Sequence, residues 1–281
     1  MIGAIAGDLI GSEYEFHNIA NEDFGPLFSK SSVYTDDTVL TIATADAILS
    51  NSNVYADFFY KYTKNYPNRG YGGGFAAMIK QGKLEPYNSY GNGSAMRVSP
   101  IGWIYSDIES TLLKAKKNAE CTHSNPEGIK GAQAVAAAMY WAKCGAGKHV
   151  LMEKVAEIGY DLSKSPQDFR QGEFDVTCQG TIPRVMSVFA NTNDFESGMR
   201  KMVAMGGDVD TNCCIYGSIA EAFYGLPNGI KEEVYLRLPK NMTNLITAFY
   251  KKYIDEKFEE PDVKIGSLTG TFEDQLDSLF S

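Results

Sequence analysis

The sequence predicts an all-α protein, and three observations predict it. Apolar positions recur at helical spacing along most of the chain, capping and stop residues stand at the ends of those runs, and strand signals are nearly absent. Residues 36–49 (DDTVLTIATADAIL) put Val39, Leu40, Ile42, Ala43, Ala47 and Ile48 at helical spacing. Thr35 stands where it would cap that helix, and Asp36 and Asp37 favour its dipole. Residues 127–143 (EGIKGAQAVAAAMYWAK) are rich in alanine, the best helix former, and follow Asn125 and Pro126, a cap and a first-turn proline. Residues 210–224 end at Gly225-Leu226-Pro227, a stop. Further helices are expected near 53–66, 108–120, 148–160, 183–190, 194–205 and 240–256. The segments 17–33, 70–74, 91–95 and 164–178 read as loops. No repeat or linker divides residues 1–281, so a single domain is expected, with Phe272, Leu276 and Leu279 available to dock its last residues.

The chain has 281 residues, 44% hydrophobic and 22% charged, ordinary values for a globular protein. A chain of this length buries about three quarters of its unfolded surface without staples. The net charge is -9 and the pI about 4.9. No Lys/Arg run exceeds Lys116-Lys117 or Lys251-Lys252, which argues against a nucleic-acid partner. An anionic ligand would then need metal ions or helix N-termini to neutralise it. The five cysteines are odd in number, irregularly spaced and without a C-x-x-C, so they read as reduced thiols of a cytoplasmic protein. Met1 to Ile10 is apolar but lacks a basic flank and is interrupted by Asp8, unlike a signal peptide. No stretch reaches the ~20 apolar residues that span a bilayer. A monomer is expected.

Two motifs carry paired acids at a helix start. Thr35-Asp36-Asp37 alone would be an ordinary N-cap. Gly206-Gly207-Asp208-Val209-Asp210-Thr211 repeats its logic far downstream, with two glycines to permit a tight turn. Two such motifs suggest shared ligands, because four gathered carboxylates repel one another unless cations balance them. An all-oxygen set favours a hard ion such as Mg²⁺, Mn²⁺ or Ca²⁺ over zinc, and four carboxylates suit two ions better than one. Glycines 3, 7 and 11 would form one smooth helix face for close packing, and Glu15 lies just beyond that helix. Arg69-Gly-Tyr-Gly-Gly-Gly74 and Gly91-Asn-Gly-Ser-Ala-Met-Arg97 are glycine-rich; backbone N–H groups there can cradle a diphosphate, and the second opens a helix. His123 is one of three histidines, a residue type that is more often a structural hydrogen-bonder than a ligand.

In this order and spacing, GAIAGDLIGSEYEF, TDDT, RGYGGG, GNGSAMR, THSNPEG and GGDVDTN resemble the ADP-ribosylglycohydrolase family from Gly3 to about Gly225. The resemblance implies a compact orthogonal multi-helix bundle with a binuclear Mg²⁺ or Mn²⁺ site in a central cleft. It implies that Thr35, Asp36, Asp37, Asp208, Asp210 and Thr211 hold the ions, with Glu15, Asp37 and Asp210 catalytic. Gly70, Tyr71 and Gly72 would lie beside the scissile bond, Gly93, Ser94, Ala95 and Met96 at the diphosphate, and His123 near the ribose and phosphates. The substrate would be an ADP-ribosylated protein or a small-molecule ADP-ribose conjugate, and ADP-ribose the product. Val209 stands where many relatives carry Thr or Ser, Cys213-Cys214 replaces small residues, and RGYGGG is closer to the serine and O-acetyl-ADP-ribose branch. A non-catalytic ADP-ribose-binding protein and another two-metal hydrolase are the competing readings. Intact acids and threonines argue against the first, and the lack of a histidine in the acidic motifs argues against the second.

Overall fold

A computed structural model describes residues 1–261, which form fourteen α-helices. They are α1 (Ile2–Gly11), α2 (Asp36–Leu49), α3 (Tyr55–Asn65), α4 (Gly73–Lys80), α5 (Gly93–Met96), α6 (Ser99–Ile104) and α7 (Ile108–Glu120). The remainder are α8 (Pro126–Lys143), α9 (Lys148–Ala156), α10 (Cys178–Asn191), α11 (Phe195–Met205), α12 (Val209–Tyr224), α13 (Asn228–Arg237) and α14 (Lys240–Tyr253). Among the described residues there is no strand, only isolated bridges that join Tyr87 and Asn88 to His123 and Gly91 to Thr177. Phe272, Leu276 and Leu279 lie outside the described residues.

The expected helices form, with informative differences at their ends. α10 begins at Cys178, ahead of the expected 183, because the Thr177 hydroxyl caps it by accepting from Gly180 N–H at 3.1 Å. Pro183 therefore sits inside the helix and not at its start. Gly73 and Gly74 are not loop residues but open α4, which buries Phe75 and Ile79, a stripe too short to show as a period. α13 likewise buries Ile230, Val234 and Tyr235 on a segment rich in charged residues.

The centre of the bundle is α1 laid against α12, the most extensive helix pairing among the described residues. Every residue of α1 is buried. Its glycine face does what the spacing suggests: a Cβ at Gly7 would overlap the Cys213 carbonyl, and one at Gly11 would come within 2.5 Å of the Asp210 Cα. At the far end, the buried Met1 amino group pairs with Glu221 of α12 at 2.5 Å, and Gly3 N–H donates to the same oxygen at 2.8 Å. α2 packs on α1, α3 and α14. The start of α2 and the start of α12 thus meet beside the C-terminal end of α1.

Candidate active site

Asp8 organises this meeting point from α1. It is fully buried, and its carboxylate accepts from Thr35 N–H at 2.9 Å, Thr38 N–H at 3.1 Å, the Thr35 hydroxyl at 2.8 Å and the Thr38 hydroxyl. These are donors of the first turn of α2, so a carboxylate from another helix caps it. Thr35 is the N-cap as expected, with its oxygen accepting from Asp37 N–H at 3.3 Å. Across the gap, the Thr211 hydroxyl donates to Asp37 Oδ2 at 3.2 Å, and Asn92 Nδ2 donates to Asp208 Oδ2 at 2.5 Å. Gly206 and Gly207 carry φ of 69° and 87°, the left-handed conformation that glycine adopts without strain, and so set Asp208 and Asp210 at the entry to α12.

The carboxyl groups form two overlapping triads. Asp8, Asp37 and Asp210 offer oxygens within 4.8 Å of one another, and so do Glu15, Asp208 and Asp210. Asp210 belongs to both. Asp36 lines the same cleft outside either triad, its N–H held by the Arg69 carbonyl at 2.7 Å. No lysine or arginine forms an ion pair with any of these acids among the described residues. Burial, reinforced by mutual repulsion, holds Asp36, Asp37 and Asp210 well above the ordinary carboxylate range. Burial, then Asp208 and Asp8, lifts half-buried Glu15 to about 7, and burial lifts Asp208 to about 6. Asp37 Oδ1 is buried and has no hydrogen-bond partner. An orphaned carboxylate oxygen among uncompensated acids is what divalent cations would satisfy, so the donor set fits a metal.

Above the acids lies a cleft of about 370 Å³. Gly70, Gly72, Gly73 and Gly74 form one wall; Gly91, Asn92, Gly93, Met96, Arg97 and His123 form the other. Phe16, beside Glu15, stacks on Phe174 of the cleft at 6.4 Å, which ties the Glu15 loop to that side. Of the residues expected to bind substrate, Gly70, Gly72, Gly93, Met96 and His123 line the cleft. Three side chains do not. Tyr71 stacks on Phe75 at 5.8 Å and donates its hydroxyl to the Tyr66 carbonyl at 2.7 Å. The Ser94 hydroxyl donates to the Gly128 carbonyl at 2.6 Å, and Ala95 is fully buried.

Asp8 and Asn92 escaped the sequence reading. The signal for Asp8 was there: a carboxylate inside the apolar run Ile2–Gly11 must find donors or cations when that run is buried. Asn92 gave none, since its partner Asp208 is 116 residues away.

Helices and cleft together define the class, an all-α protein whose glycine-walled cleft stands over a buried cluster of acids fit for divalent cations. The sequence pattern of the ADP-ribosylglycohydrolase family matches residues 1–260, and the chain belongs to that family. It is 25% identical to ADP-ribosylhydrolase ARH3 of Mus musculus over 80% of this chain and 83% of the relative. With its Xenopus tropicalis counterpart it shares 27% over 87% and 77%. The ADP-ribosyl-[dinitrogen reductase] glycohydrolase of Rhodospirillum rubrum is 23% identical over 88% of this chain and 92% of the relative. A solved structure described as an ADP-ribosylglycohydrolase-related protein complex shares the fold, with a TM-score of 0.71 at 23% identity over 89% of this chain and 95% of the other. No helix of the described residues is long and apolar enough to cross a membrane.

Proposed function

We propose that this protein removes ADP-ribose from a modified protein or a small-molecule acceptor by hydrolysing the N- or O-glycosidic bond at C1″, with two Mg²⁺ or Mn²⁺ ions held by Asp36, Asp37, Asp208 and Asp210 and flanked by Thr35 and Thr211. The observation that carries this reading is the pair of carboxyl triads sharing Asp210 beneath the cleft. Asp210, common to both triads, would hold the ions together with Asp37 and Asp208, and Asp8 and Glu15 would add further oxygen donors. When bound, the ions would supply Lewis acidity and lower the pKa of a coordinated water.

The chain's own residues do the remainder. Cleavage develops oxocarbenium character at C1″. The glycine walls admit the sugar and diphosphate close to backbone N–H groups. Glu15, at about 7, can hold or release a proton near neutral pH and stands at the mouth of the acid cluster, as a group that positions or deprotonates the attacking water must. Five free thiols suit a cytoplasmic protein, and residues 1–281 are read as one domain acting as a monomer.

The test is hydrolysis of Ser-linked and Arg-linked ADP-ribosyl peptides, O-acetyl-ADP-ribose and a nucleobase-linked ADP-ribose side by side, with Mg²⁺, with Mn²⁺ and with chelator. Metal-dependent release of ADP-ribose from at least one substrate is expected. Thermal stabilisation by ADP-ribose without turnover of any of them would favour the binding-protein reading. Cleavage of generic phosphate esters would favour another hydrolase.

A further inference from the structure

His123 is 4% exposed, and its Nδ1 lies 2.7 Å from the Thr122 hydroxyl oxygen. Which of the two donates is settled by the surroundings. Buried Arg97 donates through Nη2 to that same oxygen at 2.8 Å, so the arginine occupies one of its lone pairs. The hydroxyl proton then has two destinations, His123 Nδ1 at 2.7 Å or the Ala119 carbonyl at 3.5 Å. The second distance is long for an O–H···O bond, and that carbonyl already accepts from Thr122 N–H at 3.1 Å and His123 N–H at 2.8 Å. The proton therefore goes to Nδ1, and the ring's own hydrogen must sit on Nε2.

Nε2 has no hydrogen-bond partner among the described residues, and it faces the cleft between two positions that lack side chains. A Cβ built at Gly93 would lie 3.7 Å from Nε2, and one at Gly91 3.9 Å. Arg97 is itself held by Asn118, through Nε at 3.2 Å and Nη2 at 3.0 Å, and rests on the Phe59 ring at 4.2 Å. No ion pair forms at this buried guanidinium among the described residues, so its charge is free to favour an anion in the adjoining cleft. Burial first, and Arg97 second, push His123 down to about 3 and keep the ring neutral.

We propose that Arg97 and Thr122 are positioning residues that lock His123 as the Nε2–H tautomer, making it a dedicated hydrogen-bond donor to a phosphate oxygen of ADP-ribose. The phosphate end of this inference rests on the function proposed above; the tautomer does not.

The experiment is long-range ¹H–¹⁵N correlation on the histidine-labelled full chain without ligand, paired with calorimetric titration of ADP-ribose. His17 and His149 are exposed and serve as internal references. Wild type and Thr122→Ser should show His123 as pure Nε2–H with a hydrogen-bonded Nδ1. Thr122→Val should lose that Nδ1 signature and bind ADP-ribose roughly tenfold more weakly. An Nδ1–H ring in the wild type overturns the proposal, and so does unchanged affinity in Thr122→Val. A wild type that shows the Nε2–H ring but binds no ADP-ribose would instead overturn the function and leave the lock intact.

Discussion

Thr211 donates its hydroxyl to Asp37 Oδ2 across 3.2 Å, joining two helix starts 174 residues apart. The bond exists because α1 is narrow enough on its glycine face for α12 to settle onto it while Asp8, on the same helix, grips the start of α2. One helix thus sets the distance between the two halves of the acidic cluster.

Asp210 is the shared member of both carboxyl triads, so Asp210→Ala should disable both at once. Activity is expected to fall by roughly 10³-fold or more, the scale of losing a principal electrostatic group. Stability in chelator should hold or rise, because a buried acid among like charges is removed. ADP-ribosyl-peptide hydrolysis and thermal unfolding of the same preparation check both halves. Normal turnover would sink the shared-ligand reading.

Asp8→Asn tests the buried cap. The carboxylate accepts four hydrogen bonds from Thr35 and Thr38, whereas an amide keeps one acceptor oxygen and turns an NH₂ toward the other donors. Leaving those donors unpaired costs about 1–3 kcal/mol. Urea unfolding should show this loss in chelator, and activity should drop as the start of α2 relaxes. An unchanged midpoint would mean the cap contributes nothing.

Much of this was legible in the sequence, for physical reasons. Long helices announce themselves through period and caps, as in residues 36–49 and 127–143. Each acidic motif carried its own turn chemistry, with Thr35 before one and Gly206-Gly207 before the other. What stayed hidden depends on partners remote in sequence. α4 buries only Phe75 and Ile79, at successive turns, and α13 only Ile230, Val234 and Tyr235, stripes too short for periodicity to resolve. Ser94 and Tyr71 sit in glycine-rich motifs suited to a ligand, yet their hydroxyls serve Gly128 and Tyr66 carbonyls that only the fold brings near.

The acid cluster gives the metal-free protein a definite pH response. Asp36, Asp37 and Asp210 are raised well above their ordinary range and Glu15 to about 7, so the folded state holds protons that the unfolded chain has released. More protons bound when folded means that stability falls as pH rises. Between pH 6.5 and 8, in chelator, the melting temperature should therefore decline. Excess Mg²⁺ or Mn²⁺ should raise it and flatten the slope, since ions replace protons at the same oxygens. A metal-free melting temperature that climbs across this window would contradict the clustering of ionisable acids.

His123 predicts the opposite slope at lower pH. Its folded value of about 3 lies below the ordinary 6.5, so the unfolded state binds a proton that the folded state refuses. Stability from this group is complete above pH 6.5 and is lost as pH falls from 6.5 toward 3. One pH unit in that window is worth about 1.4 kcal/mol, so the loss between pH 6.5 and 5 is about 2 kcal/mol. The acid cluster acts in the opposite sense over the same range, so wild type must be compared with His123→Gln, which keeps the cluster and removes the titration. The variant should gain about 2 kcal/mol relative to wild type on going from pH 6.5 to pH 5, read from urea midpoints at each pH. Parallel curves for the two proteins would show that the ring takes up its proton in the folded state, which a neutral donor locked from Nδ1 cannot do.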